Sequence, residues 1–220
     1  MFGVPSVALN INSVNEFVRC FASQHPDRLI PFAVLADNSD TAKLAKEGFK
    51  GFKEHVYGLK IQKDDGGCHR LVDANRKKLY RAIANLRLPL IAHFGPNIVR
   101  RVEDILETVP TLDLIIAHLG SSCNGPTTWC EIEPVLKSLS PFANVHFDTS
   151  AIKDVSLIEK AITMIGADRI VWGSDWPVEG ALTSISRILE SEQISIFDMY
   201  NIVTKNTQAL LGLNLSKCGT

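Results

Sequence analysis

Short apolar runs rich in β-branched residues recur along the chain, each followed by a polar turn and then a helical pattern. The runs are Gly3–Leu9, Leu29–Leu35, Gly51–Val56, Leu88–His93, Leu112–His118, Asn144–Asp148 and Arg169–Gly173. Their midpoints lie ~20 to 40 residues apart, the spacing of successive βα units. Most runs are continuously apolar, which marks strands covered on both faces and so a parallel sheet with helices outside it. The helices between them carry their own signals. Asn12 or Ser13 is read as the cap of a helix with Phe17, Cys20 and Phe21 on one face. Asp40 to Glu47 is a short helix ended by Gly48, Val72 to Leu86 is a longer one, Arg100 to Thr108 stops before Pro110, and Ile132 to Leu139 stops before Pro141. Asp154 caps a helix that Gly166 closes. The last helices fall near Ser184–Glu190 and Ser195–Leu211, ending at Gly212. Strict alternation of this kind gives an α/β fold, either a doubly wound open sheet or a (βα)8 barrel. No GxGxxG or GxxxxGK[ST] follows any run, which disfavours the nucleotide-binding open sheets.

Candidate chemistry lies where the runs end. One run closes on His93, one on His118 and one on Asp175. In parallel α/β folds the carboxyl ends of strands are where active sites are built. A single histidine there is ordinarily a hydrogen-bonded structural residue. Three such residues on three strands are harder to explain, because burying polar groups without a partner costs several kcal/mol. Two histidines and a carboxylate also match a catalytic zinc set, which takes three protein ligands and an open position for water. Lys53 and His55 alternate on another run and are substrate-side or metal candidates; the plain alternative is a solvated strand end. Asp148 either enters the pocket or hydrogen-bonds a neighbouring loop. Trp176, before Pro177, is either packing or a pocket wall. His25 reads as structural, and His69 sits in a Gly-rich loop that could act as a lid.

These residues carry a family resemblance. His25-Pro-Asp-Arg-Leu-Ile-Pro-Phe-Ala, Glu47-Gly-Phe-Lys-Gly-Phe-Lys, Leu88-Pro-Leu-Ile-Ala-His93, Ile115-Ile-Ala-His-Leu-Gly120, Val145-His-Phe-Asp-Thr-Ser150 and Ala167-Asp-Arg-Ile-Val-Trp-Gly-Ser-Asp-Trp-Pro177 resemble the amidohydrolase-related metal-dependent hydrolases, the branch that also holds zinc-dependent decarboxylases. The resemblance implies a distorted (βα)8 TIM-like barrel with a divalent metal at its mouth, usually zinc, with manganese or iron as alternatives. It places His93 and Asp175 as metal ligands and His118 as a ligand or proton donor. From their own positions, Lys53, His55 and Trp176 are the substrate-binding candidates. The family's His-x-His pair on the first strand has no counterpart here. The expectation is therefore a barrel of about seven strands, incomplete at the N-terminus, as a single domain over residues 1–220. The expected activity is hydrolysis of a C–N or C–O bond in a small carbonyl substrate. Decarboxylation on the same scaffold and a non-catalytic form without the His-x-His pair are the alternatives.

Composition narrows this further. The chain has 220 residues, 45% of them hydrophobic, with a formal charge of −1. It has no basic stripe for nucleic acid and no apolar run of ~18 residues for a membrane span. Its five cysteines are odd in number and form no CxxC pair, which fits reduced thiols in the cytoplasm. Cys123 and Cys130 lie near the His118 loop, but no activating arrangement marks either as a nucleophile. The partner expected is a small-molecule substrate. The edges left by an absent strand would favour a homo-oligomer.

Overall fold

The computed structural model describes residues 10–55, 74–95, 97–122 and 126–213. Six strands, β1 (Ala33–Val34), β2 (Phe52–His55), β3 (Leu90–His93), β4 (Leu114–Ile116), β5 (Val145–Asp148) and β6 (Ile170–Val171), form one sheet in sequential order. The β1–β2 and β5–β6 pairs are parallel. Each strand falls inside a run read from the sequence; the remaining run, Gly3–Leu9, lies outside the described residues, as does His69. The helices are α1 (Ile11–Ser23), α2 (Thr41–Lys46), α3 (Ala74–Leu86), α4 (Ile98–Thr108), α5 (Trp129–Leu139), α6 (Val155–Ile165), α7 (Ala181–Leu189), α8 (Ile196–Tyr200) and α9 (Asn206–Leu210).

The chain divides into two compact units. The first is Met1–Ala92 with Arg100–Leu114, the second His93–Val99 with Ile115–Thr220. In the first unit, α1 corrects the sequence reading. Its cap is Asn10, whose side chain accepts from Asn12 N at 2.9 Å. Its buried face is Asn15, Val18 and Ala22, while Phe17 is 62% exposed and Phe21 and Cys20 are also exposed. Asn15 decides this. Its carboxamide donates to Val34 O at 2.9 Å and accepts from Val34 N at 2.8 Å. One side chain thus satisfies both backbone groups of a β1 residue, as a neighbouring strand would. Asp40 caps α2 through Lys43 N at 2.9 Å, and Gly48 follows that helix at φ 105°, a conformation that favours glycine.

In the second unit Ile115–Ile116 and β6 are apolar on both faces, as the sequence implied, whereas β5 alternates, with Val145 and Phe147 buried on one face and His146 and Asp148 on the other. Asp154 caps α6 through Ser156 N at 3.0 Å. The terminal segment, read as one helix, is α8, a π-helical turn over Asn201–Lys205, and α9. The turn brings Asn206 inward, where Nδ2 donates to Ala167 O and Ile170 O, both at 2.7 Å. Trp172 N donates to Ile202 O at 2.9 Å. The segment after β6 is therefore fastened by the final helices. Among the described residues, no helix is long and apolar enough to cross a membrane.

Candidate active site

The second unit gathers the carboxyl-end residues of β3, β4 and β5. His93 is the last residue of β3 and its Nε2 is buried. β4 ends at Ile116, two residues short of the expected end. His118 sits instead in the tight turn Ala117–Gly120, where His118 (φ 60°, ψ 38°) and Leu119 (φ 51°) are both left-handed. The turn closes onto α5: a Cβ on Gly120 would stand 2.7 Å from Val135 Cγ1. The His93 and His118 rings meet edge to face with centroids 4.7 Å apart.

Asp148 ends β5, and its role goes to the loop-bonding alternative. Its Oδ1 accepts from His118 N at 2.9 Å, Ser150 N at 2.9 Å and Ser150 Oγ. Ser150 in turn meets His118 Nδ1 through its carbonyl oxygen at 3.0 Å and its hydroxyl at 2.8 Å. Asp148, Ser150 and His118 are all buried. The sequence reading passed over Ser150, although the Asp-x-Ser spacing directly after a buried strand was its visible signal.

Asp175 corrects the reading in a second way. β6 stops at Val171, so Asp175 lies in the following loop, half-buried, with φ 58°. Gly173 in that loop packs on the Asp148–Ser150 pair, and its N–H donates to Thr149 Oγ1 at 3.2 Å. The non-glycine residues His118, Leu119, Ala151 and Asp175 are left-handed, all in the loops that follow β4, β5 and β6. Each costs on the order of 1–3 kcal/mol, and such conformations concentrate at functional sites. Trp176, joined to Pro177 by a cis bond, is 69% exposed, so it packs in no interior of the second unit.

The loop after His118 is held by Glu131 of α5. Its Oε1 accepts from Ser122 N at 2.7 Å, Ser122 Oγ at 2.8 Å and Ser121 Oγ at 3.2 Å. Burial raises the Glu131 pKa, but these hydrogen bonds outweigh it and the carboxyl is held below its ordinary value. Cys130 is exposed and Cys123 lies outside the described residues. His146 on β5 is different: burial, with the Arg169 charge adding to it, lowers its pKa to about 4.

In the first unit, Lys53 is 3% exposed, which rules out a solvated strand end. Glu54 faces α3, where Tyr80 OH donates to Oε2 at 2.7 Å and Arg76 Nη1 stands 2.8 Å from Oε1. Alternation along β2 then puts Lys53 on the sheet face opposite Glu54; the His55 side chain lies outside the described ones.

A catalytic divalent ion takes three protein ligands. His93 and His118 are two donors of suitable chemistry in contact. Among the described residues, however, no three His, Cys, Asp or Glu side chains come together in a way that would hold a metal ion. The described residues therefore show no complete three-ligand set around His93 and His118.

The family model described as amidohydrolase matches residues 9–210. The chain belongs to the amidohydrolase family. A search of curated proteins finds no match. Among solved structures, this amidohydrolase chain is similar to a 2,6-dihydroxybenzoate decarboxylase from Rhizobium, at 18% identity and a TM-score of 0.71, covering 96% of this chain and 82% of that one. A protein from Pseudomonas putida assigned as a 2-pyrone-4,6-dicarboxylic acid hydrolase matches at 19% identity and a TM-score of 0.71, covering 91% and 78%. A dihydroxybenzoic acid decarboxylase from Polaromonas, with bound manganese and the inhibitor 2-nitroresorcinol, matches at 19% identity and a TM-score of 0.69, covering 93% and 75%. At these identities the likeness shows the fold: α/β, of the barrel class expected, with six of its strands among the described residues.

Proposed function

We propose that this amidohydrolase chain hydrolyses a C–N or C–O bond in a small carbonyl substrate. The observation that carries the reading is the edge-to-face contact of His93, at the end of β3, with His118, in the left-handed turn after β4 that a buried hydrogen bond to Asp148 holds. His118 is the proposed proton-transferring group and Asp175 the proposed base or orienting carboxylate. Lys53, His55 and Trp176 are proposed to meet substrate.

Metal dependence is proposed on the family's account, with zinc, manganese or iron as the ion and His93, His118 and Asp175 as the residues facing it. The described residues do not by themselves assemble three ligands. Decarboxylation is the second reading, supported by the fold that this chain shares with the Rhizobium and Polaromonas decarboxylases. One domain over residues 1–220, a cytoplasmic location and a homo-oligomer complete the proposal.

The test is elemental analysis of the purified protein, with His93→Ala and Asp175→Ala as controls, followed by a panel of lactones, amides and aromatic carboxylates. Near-stoichiometric metal that falls in both variants, with lactone or amide turnover, supports the hydrolase. Turnover of aromatic carboxylates alone selects the decarboxylase. Metal no higher than in the variants, with no turnover, overturns both in favour of a non-catalytic barrel.

A further inference from the structure

We infer that Ser150, backed by Asp148, is a positioning residue that holds the His118 ring in a single tautomer, with the proton on Nδ1 and the lone pair on Nε2. The inference rests on the proposal that His118 transfers the proton, and it names the ring atom that does so.

His118 Nδ1 lies 3.0 Å from the Ser150 carbonyl oxygen, which can only accept. It also lies 2.8 Å from Ser150 Oγ. That hydroxyl has one proton, and Asp148 Oδ1 takes it. Oγ therefore turns lone pairs toward the ring. Both neighbours of Nδ1 are acceptors, so Nδ1 must carry hydrogen. A bare Nδ1 would face two sets of lone pairs in a buried site, where an unmatched polar contact is costly. The neutral ring then has its only basic nitrogen at Nε2, and the tautomer follows from the hydrogen bond made by the other nitrogen.

Asp148 does more than orient the hydroxyl. The same Oδ1 accepts the His118 backbone N–H at 2.9 Å and the Ser150 N–H at 2.9 Å. It thereby ties the left-handed His118 backbone to the ring's own partner. One carboxylate fixes where the imidazole is mounted and which way its proton points. Gly173 closes the arrangement from the β6 loop. A Cβ there would stand 3.0 Å from Ser150 Cβ and 3.4 Å from Asp148 Cγ, so any larger residue would push against the pair. The glycine of the Gly-Ser-Asp-Trp-Pro motif thus has a physical reason independent of Asp175.

The experiment is long-range ¹H–¹⁵N correlation of the His118 ring in the full-length, ligand-free protein at pH 8, for wild type, Ser150→Ala, Ser150→Thr and Asp148→Asn. Wild type is expected to show Nδ1–H with an unprotonated Nε2. Ser150→Ala, which keeps the carbonyl but loses the hydroxyl, should lower the Nδ1–H to Nε2–H ratio about tenfold, roughly the weight of one hydrogen bond. Ser150→Thr should restore the wild-type ratio, which a purely structural role for Ser150 would not require. Asp148→Asn should shift the ratio in the same direction as Ser150→Ala. A wild-type ring protonated on Nε2, or a ratio unmoved in Ser150→Ala, overturns the inference. The readout needs no turnover, so it separates from the function. The expected tautomer in a protein inactive on the whole substrate panel would leave this inference standing and remove the proposed activity. Turnover with the opposite tautomer would do the reverse.

Discussion

Replacing Arg76 with alanine strands a fully buried carboxylate. Glu54 is 0% exposed, and its charge is met by Arg76 Nη1 at 2.8 Å and the Tyr80 hydroxyl at 2.7 Å. Arg76 also reaches Asp37 Oδ1 at 2.5 Å, but Asp37 is largely exposed, and that bridge contributes little. Breaking a buried pair from one side costs about 3–5 kcal/mol, because the remaining charge is uncompensated. Burial raises the Glu54 pKa, opposed by Arg76 and Tyr80. Without Arg76 that opposition weakens and the folded-state pKa rises further. The folded protein then binds a proton that the unfolded chain releases above its ordinary value of 4.5. More protons bound in the folded state mean stability falls as pH rises, by up to about 1.4 kcal/mol per pH unit across that window. Urea denaturation at pH 5 and pH 8 should therefore show a larger Arg76→Ala deficit at pH 8. Glu54→Gln/Arg76→Met, which removes both charges and keeps an acceptor for Tyr80, should recover most of the loss. An Arg76→Ala deficit below about 1 kcal/mol, or one independent of pH, would refute the idea that a buried charge is being stranded.

Three further outcomes are expected. His146 has its pKa lowered from 6.5 to about 4, so between those values the unfolded chain binds the extra proton. Stability should fall by up to about 3 kcal/mol as pH drops through that window, and His146→Gln should flatten this part of the curve measured by chemical denaturation. Gly173→Ala should cost about 1–3 kcal/mol by overpacking Ser150; a melting temperature equal to wild type would contradict the close approach. Asn206→Ala removes the donor to two buried carbonyls and should cost about 1–3 kcal/mol in the same assay, with Asn206→Asp no better because a carboxylate cannot donate.

How much of this was legible in the sequence differs by residue. Most strands were legible because covered strands are continuously apolar, and the cap at Asp154 because a carboxylate before a helix has one common use; Asp40, read as the first helical residue, is the cap of α2. The inward face of α1 was not. Phe17 and Phe21 outweigh Asn15 on any hydrophobic count, yet Asn15 turns inward because its carboxamide satisfies two backbone groups of Val34. The histidine pair was found because both residues end apolar runs. Ser150 was missed because the Asp-x-Ser spacing after β5 shows only a local turn; the fold alone shows which ring nitrogen it meets. Asp175 was read at a strand end but falls in the following loop, because the apolar signal of Ile170-Val-Trp continues past the last paired residue, Val171.

The fastening of the β6 segment by the final helices has a consequence for the order of synthesis. Asn206 bonds back to Ala167 and Ile170, and Ile202 accepts from Trp172. On a ribosome the Asp175 loop emerges before the residues that anchor its base. β5 and its Asp148–Ser150 turn can settle while that loop is still untethered. A released chain truncated at about residue 200 should therefore expose the Asp175 loop to protease, and restoring the last helix should protect it. The site would be the last part of this unit to become native, and the C-terminal helices would act as its latch during biogenesis.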